Sequence, residues 1–471
     1  MKKKPSKTSP GPEVPSFTHH LSRDERLALG KGLRGACPRA AHAKRKAPAG
    51  RPDPVDLVLA AEEGRLPELL PLRHGRMVRS AFTFYRGAAL HMATDLANTP
   101  NSGFRVQCGG DSHLCNFGAF ATPERQVIFS INDLDETLPA PWEWDVKRLA
   151  ASFVVGCRDN GLSEAAAREA ALRCVRSYRE HMAEFSTMRV LDLWYLALDS
   201  DTLITTLKDD RLRRRAIRRL EKERGKTIAE DVFPKLADAE SRKPLIRDQR
   251  PTIFHWKGHT PGEIHQAVAE TFARYRETLA PSCRVLLDRY EIKDAAIKVV
   301  GVGSVGTACW IVLLQAGEGD PLFLQVKEAR ASVLEAFAGP SVFPNHGQRV
   351  VNGQRLMQPA SDIFLGWMEG PTGLHFYVRQ LRDCKISFAV ETFGKAEMYQ
   401  YAMWCGWALA LCHARGSDPA VITGYLGRGD AFDEAVADFS LAYADQNEKD
   451  YTALAKAVRS GRIEALIEEE D

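Results

Sequence analysis

The stretch that decides the fold is AAIKVVGVGSVGTACWIVLLQAGEGDPLFLQVKEA, Ala295–Ala329. Its β-branched and apolar residues come in three runs, broken by GVGSVG and by the turn GEGD, and this pattern predicts three antiparallel strands. Gly301, Gly303 and Gly306 spell GxGxxG. A dinucleotide-binding fold needs a helix after that motif, so that the pyrophosphate sits on the helix N-terminus. Here the strand-like TACWIVLLQ follows. The loop therefore reads as a glycine-rich hairpin whose backbone N–H groups can close over phosphates. The third run ends in QVKEA, with Lys327 twenty-four residues after Gly303. In an antiparallel unit that ammonium lies beside the hairpin; a plain hairpin with a solvated lysine is the alternative. Gly301, Gly303, Ser304, Gly306, Thr307 and Lys327 are the candidate phosphate-binding residues.

Around this segment the chain is ordinary in bulk. Its 471 residues suggest two or three units sharing an interface, and 44% apolar with 27% charged residues suits a soluble globular protein. No apolar run approaches the ~18 residues of a membrane span, and the basic N-terminus lacks a following apolar segment, so a cytoplasmic protein is expected. Ten scattered cysteines without a CxxC pair read as reduced thiols, not a zinc site or disulfide framework. Residues 1–53 hold thirteen Lys/Arg against four Asp/Glu, leaving a net −6 on the rest of the chain. Composition assigns them to a disordered solubilising tail, with contact to nucleic acid or anionic lipid the less favoured role. The slightly acidic body shows no footprint of a nucleic-acid binder, and no specific nucleic acid is expected as a partner. The remaining units are expected at 54–290 (helical), 291–390 (β-rich) and 391–471 (C-terminal helices). Helical spacing is read over 54–70, from Ala81, from Val146 to Glu184, over Asp201–Arg224 and after Glu391. The ten basic residues from Lys208 to Lys226 read as a solvated helix face.

The chemistry-bearing residues lie almost two hundred positions upstream of the glycine segment, in CGGDSHLCNFG (Cys108–Gly118) and INDLDE (Ile131–Glu136). Asp111 and Asn116 form D-x-x-x-x-N, two ends of one loop, and Asp133 follows an apolar strand. Phosphoryl transfer needs a carboxylate to orient or deprotonate a hydroxyl. It also needs oxygen ligands for Mg²⁺, such as an amide and a second carboxylate. That assigns Asp111 as base and Asn116 and Asp133 as metal ligands. His113 is read as a loop histidine bonded to backbone, Asp135 as a further metal contact, and Glu136 as facing solvent or an arginine.

These two segments resemble the catalytic and metal loops of aminoglycoside phosphotransferases and their choline-kinase and fructosamine-kinase relatives. PWEWDVKRLA is similar to the segment that follows in those enzymes, where an Asp opens a helix and braces the catalytic loop; the resemblance gives that role to Asp145. More closely, the chain resembles a bacterial family catalogued as a domain of unknown function and grouped with the protein-kinase-like fold. RMVRSAFTFYRG, GGDSHLCNFG, NDLDE, PWEWDVKRLA, VGVGSVGT, LQVKEA, GQRVVNGQRLMQPASDIFLGW, YVRQLRD and HARG carry it, from Arg73 to about Leu426. The resemblance implies an α+β, protein-kinase-like fold, with a small antiparallel β-sheet lobe on a larger helical lobe. Catalytic and metal loops precede the glycine loop here, the reverse of the ordinary order, which implies a circular permutation. Either MYQYAMWCGWALALCHARG or AFTFYRGAALHMATDLA then stands where a helix ordinarily leads into the catalytic loop.

Three departures accompany the resemblance. Gly109 replaces a structural His, DLD replaces DFG, and no Glu partner for Lys327 is evident, Glu335 being the nearest candidate. The reading that follows is an ATP- and Mg²⁺-dependent phosphotransferase acting on a hydroxyl of a small molecule or protein. Substrate contacts are expected from the helical insert 150–290, including Trp194, Tyr195 and the basic helix. A pseudokinase that binds nucleotide without turnover is the alternative, and transfer of a nucleotidyl group ranks behind both. The oligomeric state is not legible. The phosphotransferase reading requires Asp133 and Lys327 to lie within ~10 Å, the reach of an Mg-triphosphate clamp.

Overall fold

The computed structural model describes residues 20–44, 50–226, 228–238, 244–255, 270–381 and 385–468. The chain opens with α1 (Arg23–Gly32), started by a capping box in which Ser22 accepts from the Glu25 N–H and Glu25 accepts from the Ser22 N–H. This helix belongs to the stretch that composition assigns to a disordered tail, and the structure corrects that expectation for 20–44. The reason is close packing with the helix Pro419–Leu426. A Cβ on Gly30 would lie 1.9 Å from the Val421 carbonyl oxygen, and one on Gly424 2.1 Å from that of Leu27, so only glycine allows this approach. Arg26 completes the contact with Asp418 at 3.0 Å. Residues 1–19 lie outside the described residues.

Short helices follow: α2 (Pro54–Ala60), α3 (Leu70–Met77), α4 (Ala81–Gly87) and α5 (Ala89–Leu96). The single helix expected over 54–70 is broken, because the chain turns at Gly64 with φ +74° and restarts at Pro67. Two antiparallel pairs come next, β1 (Arg105–Cys108) with β4 (Leu138–Pro141), and β2 (Phe117–Ala121) with β3 (Val127–Ile131). They frame the segments CGGDSHLCN and NDLDE. The run Val146–Glu184 is two helices, α6 (Trp142–Asp159) and α7 (Glu164–Phe185), separated at Gly161 with φ +70° and restarted by the N-cap Ser163. Their apolar faces, with the helices Lys395–Arg415 and Ala431–Arg459, enclose the largest core.

The second unit is a six-stranded antiparallel sheet in the order β5-β6-β7-β8-β10-β9: Ile253–Phe254, Glu291–Lys298, Cys309–Gln315, Pro321–Glu328, His375–Gln380 and Gly366–Glu369. The three strands expected from Ala295–Ala329 are β6, β7 and β8, so GVGSVG does join two antiparallel strands. Period-two alternation covers both faces. Val312 and Leu314 of β7 pack with Phe272, Tyr275 and Leu287, while Ile311 and Leu313 pack with Phe233, Ile246 and Phe323. The helix His346–Met357 connects β8 to β9 and packs Val350 and Val351 against Tyr377 and Leu365. The molecule is thus mixed α+β, with the expected small antiparallel sheet beside a larger helical part. No helix among the described residues is long and apolar enough to cross a membrane.

Candidate functional site

The loop after β1 is held from below by α6. The helix α6 follows directly on β4, and its first turn carries Asp145, whose carboxylate bonds the loop backbone at Gly109–Gly110. Asp145 accepts the Gly109 N–H at 2.6 Å and the Gly110 N–H at 3.0 Å. His413, at the end of the helix Lys395–Arg415, reaches the same carboxylate at 3.1 Å, and Tyr178 meets its other ring nitrogen at 2.9 Å. Gly110 has φ +83°, and a Cβ there would sit 2.3 Å from the Glu136 carbonyl oxygen. No other residue fits that position. Cys108, Asp145 and His413 cluster closely enough to suggest a metal, but the Asp145 oxygens are already committed to the loop N–H groups and His413.

One turn further along α6, Arg148 directs Nε (2.7 Å) and Nη2 onto the same Asp111 oxygen. The guanidinium lies 4.3 Å from the centre of the Tyr85 ring. Burial opposes its charge, and Asp111 and Tyr85 outweigh that penalty. The other Asp111 oxygen lies 3.9 Å from His113 Nε2. The Asn116 amide nitrogen donates to the Asp111 carbonyl at 2.8 Å, which leaves its oxygen available as a ligand. The pairing of Phe117 with Ile131, and the Asn132 N–H on the Asn116 carbonyl at 2.8 Å, bring Asn116 beside Asp133.

Lys327 arrives from the sheet. Its Nζ donates to Asp135 at 2.7 Å and lies 3.5 Å from Asp133 Oδ1, inside the limit set from the sequence. Tyr377, its register partner on β10, donates to the other Asp135 oxygen at 2.6 Å. Two carboxylates share one ammonium. Burial opposes ionisation of Asp133, but Lys327, Arg379 and Lys385 outweigh it and hold the carboxyl low. Burial and the neighbouring Asp133 charge push Asp135 up, against Lys327. Asp133 Oδ1 is buried and makes no hydrogen bond among the described residues.

The glycine hairpin closes the opposite wall. Arg65 donates to the carbonyls of Gly303 (2.7 Å) and Val305 (2.6 Å), and Arg76 to that of Gly301 (2.8 Å). These contacts use carbonyls; within the loop the Val305 and Thr307 N–H groups donate to the Val302 (3.3 Å) and Ser304 (3.2 Å) carbonyls, so any ligand meets the N–H groups of the Gly301–Ser304 turn first. Asp111, Asn116, Asp133, Gly301, Gly303, Ser304, Thr307 and Lys327 all line one cavity of about 1200 Å³. Gly306 does not line it: it packs on Arg65, and its carbonyl accepts the Leu66 N–H at 2.7 Å.

Other expectations are corrected. Glu335 is not the partner of Lys327; it accepts from the Ser332 N–H and faces Arg349 and His346 at 3.8 Å. Trp194 and Tyr195 are exposed and off the cavity, and of the basic run Lys208–Lys226 only Lys226 lines it. Sequence reasoning missed Arg148, whose signal was its position one helical turn after Asp145. It also missed Tyr377 and Arg379, which only the β8–β10 register brings to the site.

The fold and cavity define a mixed α+β protein whose helical part presents carboxylates to a lysine and a glycine hairpin on an antiparallel sheet. Residues 65–457 match the model of the family described as "Uncharacterized protein conserved in bacteria (DUF2252)", and the chain belongs to it. No curated protein and no solved structure matches the chain.

Proposed function

We propose that the protein is an ATP- and Mg²⁺-dependent phosphotransferase acting on a hydroxyl of a small molecule or protein, built on a circularly permuted protein-kinase-like fold. One observation carries this reading. Asp111 and Asp133 converge with Lys327 and the glycine hairpin, almost two hundred residues downstream, on one cavity, with Lys327 3.5 Å from Asp133. The succession glycine hairpin, lysine strand, helix in the sheet matches the phosphate-binding half of a protein kinase. The Asp145 brace and the approach of His413 to it favour Lys395–Arg415 as the helix that leads into the catalytic loop.

The residues fit the groups the reading requires. Asp133 Oδ1, which accepts no hydrogen bond among the described residues, and the Asn116 amide oxygen are hard donors of the kind Mg²⁺ takes. Ten Lys and Arg against seven Asp and Glu line the cavity, a cationic surplus suited to a triphosphate, whereas the chain beyond residue 53 is acidic. Bound Mg²⁺ would neutralise charge between donor phosphates. Lys327 and the N–H groups of the Gly301–Ser304 turn would hold those phosphates, and Asp111, fixed by Arg148, orients the acceptor hydroxyl and takes its proton.

The test is Mg-ATP binding and ATP consumption over a panel of hydroxyl acceptors. Asp111→Asn should keep Mg-ATP affinity and lose turnover by ~10²-fold or more; Asp133→Ala should lose Mg²⁺-dependent nucleotide binding. Undiminished transfer by Asp111→Asn would overturn the role of Asp111. A second reading, nucleotide binding without turnover, is favoured by Lys327, which occupies both DLD carboxylates and meets no Glu among the described residues. Mg-ATP binding without ATP consumption across the panel would select it.

A further inference from the structure

Among the cations lining the cavity, Arg86 stands apart. Lys327 is held by carboxylates, Arg65 by loop carbonyls, Arg73 by Glu62, and Arg379 by the Asn132 carbonyl and Gln325. Arg86 makes no hydrogen bond or ion pair among the described residues, and its Nε is buried without a partner. An unpaired, half-buried guanidinium costs free energy that an incoming anion would recover.

Its position is fixed at both ends. The helix α4 starts on a capping box between Ser80 and Thr83, and Tyr85, the residue before Arg86, stacks on the arginine that holds Asp111. The Arg86 carbonyl oxygen lies 3.3 Å from where a Cβ on Gly303 would be, so the backbone abuts the glycine hairpin. On the other side its charge reaches His113 in the catalytic loop. Arg86 thus stands between the donor wall and the acceptor wall, where phosphoryl charge accumulates during transfer.

We propose that Arg86 contacts the terminal phosphoryl group of the nucleotide donor as it passes from the glycine hairpin toward Asp111, as an arginine finger supplied in cis. The inference rests on the phosphotransferase reading. In the step it serves, the acceptor oxygen bonds to the terminal phosphorus as the bond to the bridging oxygen breaks. The bridging oxygen keeps the electron pair and leaves as ADP, and the hydroxyl proton passes to Asp111. Arg86 offers N–H donors to the equatorial oxygens throughout.

Calorimetry on the full chain tests this without turnover. Wild type, Arg86→Gln and Arg86→Lys are titrated with Mg-ADP, and with Mg-ADP plus beryllium fluoride, a mimic of the terminal phosphoryl group. Wild type should bind tighter with fluoride. Arg86→Gln should match it for Mg-ADP and lose ~10- to 100-fold of the fluoride-dependent gain, the range of one charge-assisted hydrogen bond. Arg86→Lys should retain part. The proposal fails if Arg86→Gln keeps the gain, or if both variants lose Mg-ADP binding as well. It also fails if inorganic phosphate binds the Mg-ADP complex of wild type, and Arg86→Gln loses that binding alone, because Arg86 then serves an acceptor anion. A wild type that binds no nucleotide overturns the phosphotransferase reading itself, whereas a retained gain in Arg86→Gln overturns only the finger.

Discussion

Asp111 and Asp133 face the same cavity from surroundings of opposite kinds. The loop bearing Asp111 is finished: its backbone is bonded to Asp145, its carboxylate to Arg148, and its carbonyl to Asn116. The DLD segment is unfinished. Two carboxylates share Lys327, one of them is pushed up by burial and by the other's charge, and a buried oxygen lacks a hydrogen bond. A group that orients a reactant gains from being fixed before the reactant arrives. A metal site must instead keep oxygen lone pairs uncommitted until the ion binds. The contrast accords with the two different roles proposed for Asp111 and Asp133.

If the contrast is real, breaking the finished side should cost most. Asp145→Ala removes the acceptor of two loop N–H groups and of His413 from a carboxylate only 1% exposed. The expected loss is about 3–5 kcal/mol, because buried donors are left unpaired, read as a shift in the urea midpoint. A loss under about 1 kcal/mol would mean that the loop is held mainly by β1 and β4. The unfinished side should instead respond to ions. Mg²⁺ at about a hundred times its Kd should stabilise wild type by about 2.7 kcal/mol and leave Asp133→Asn unmoved in thermal unfolding. Equal stabilisation of both would move the ion site elsewhere.

How far these differences could be read from sequence depends on range. The hairpin was legible because strand periodicity and GxGxxG are local, and α6 because LAASFVVGCRD carries its apolar residues at helical spacing. Asp135 as the main partner of Lys327 was not legible, since it requires packing of the sheet against the NDLDE loop, 192 residues away in sequence. Choosing Glu335 followed chain proximity, but the Ser332 N–H and Arg349 draw that side chain elsewhere. The ordered α1 escaped because composition averages over thirty residues, while its packing on Pro419–Leu426 depends on two glycines, Gly30 against Val421 and Gly424 against Leu27.

The smallest expected effect gives the sharpest test. Asp133 has a folded pKa below its unfolded value, so its contribution to stability is present above the usual carboxylate pKa of ~3.9 and is lost as pH falls through the folded value. Asp135 is raised, so its ionisation subtracts stability as pH climbs through its own value. Replacing Asp133 by Asn removes the first contribution and relieves the second, since the Asp133 charge is part of what raises Asp135. With chelator present at pH 7, the net change should stay within about 1 kcal/mol in either direction, the range of a partly exposed pair. A loss of 3 kcal/mol or more would show Asp133 to be as structurally committed as Asp145, and the distinction between a finished loop and an ion-ready one would fall.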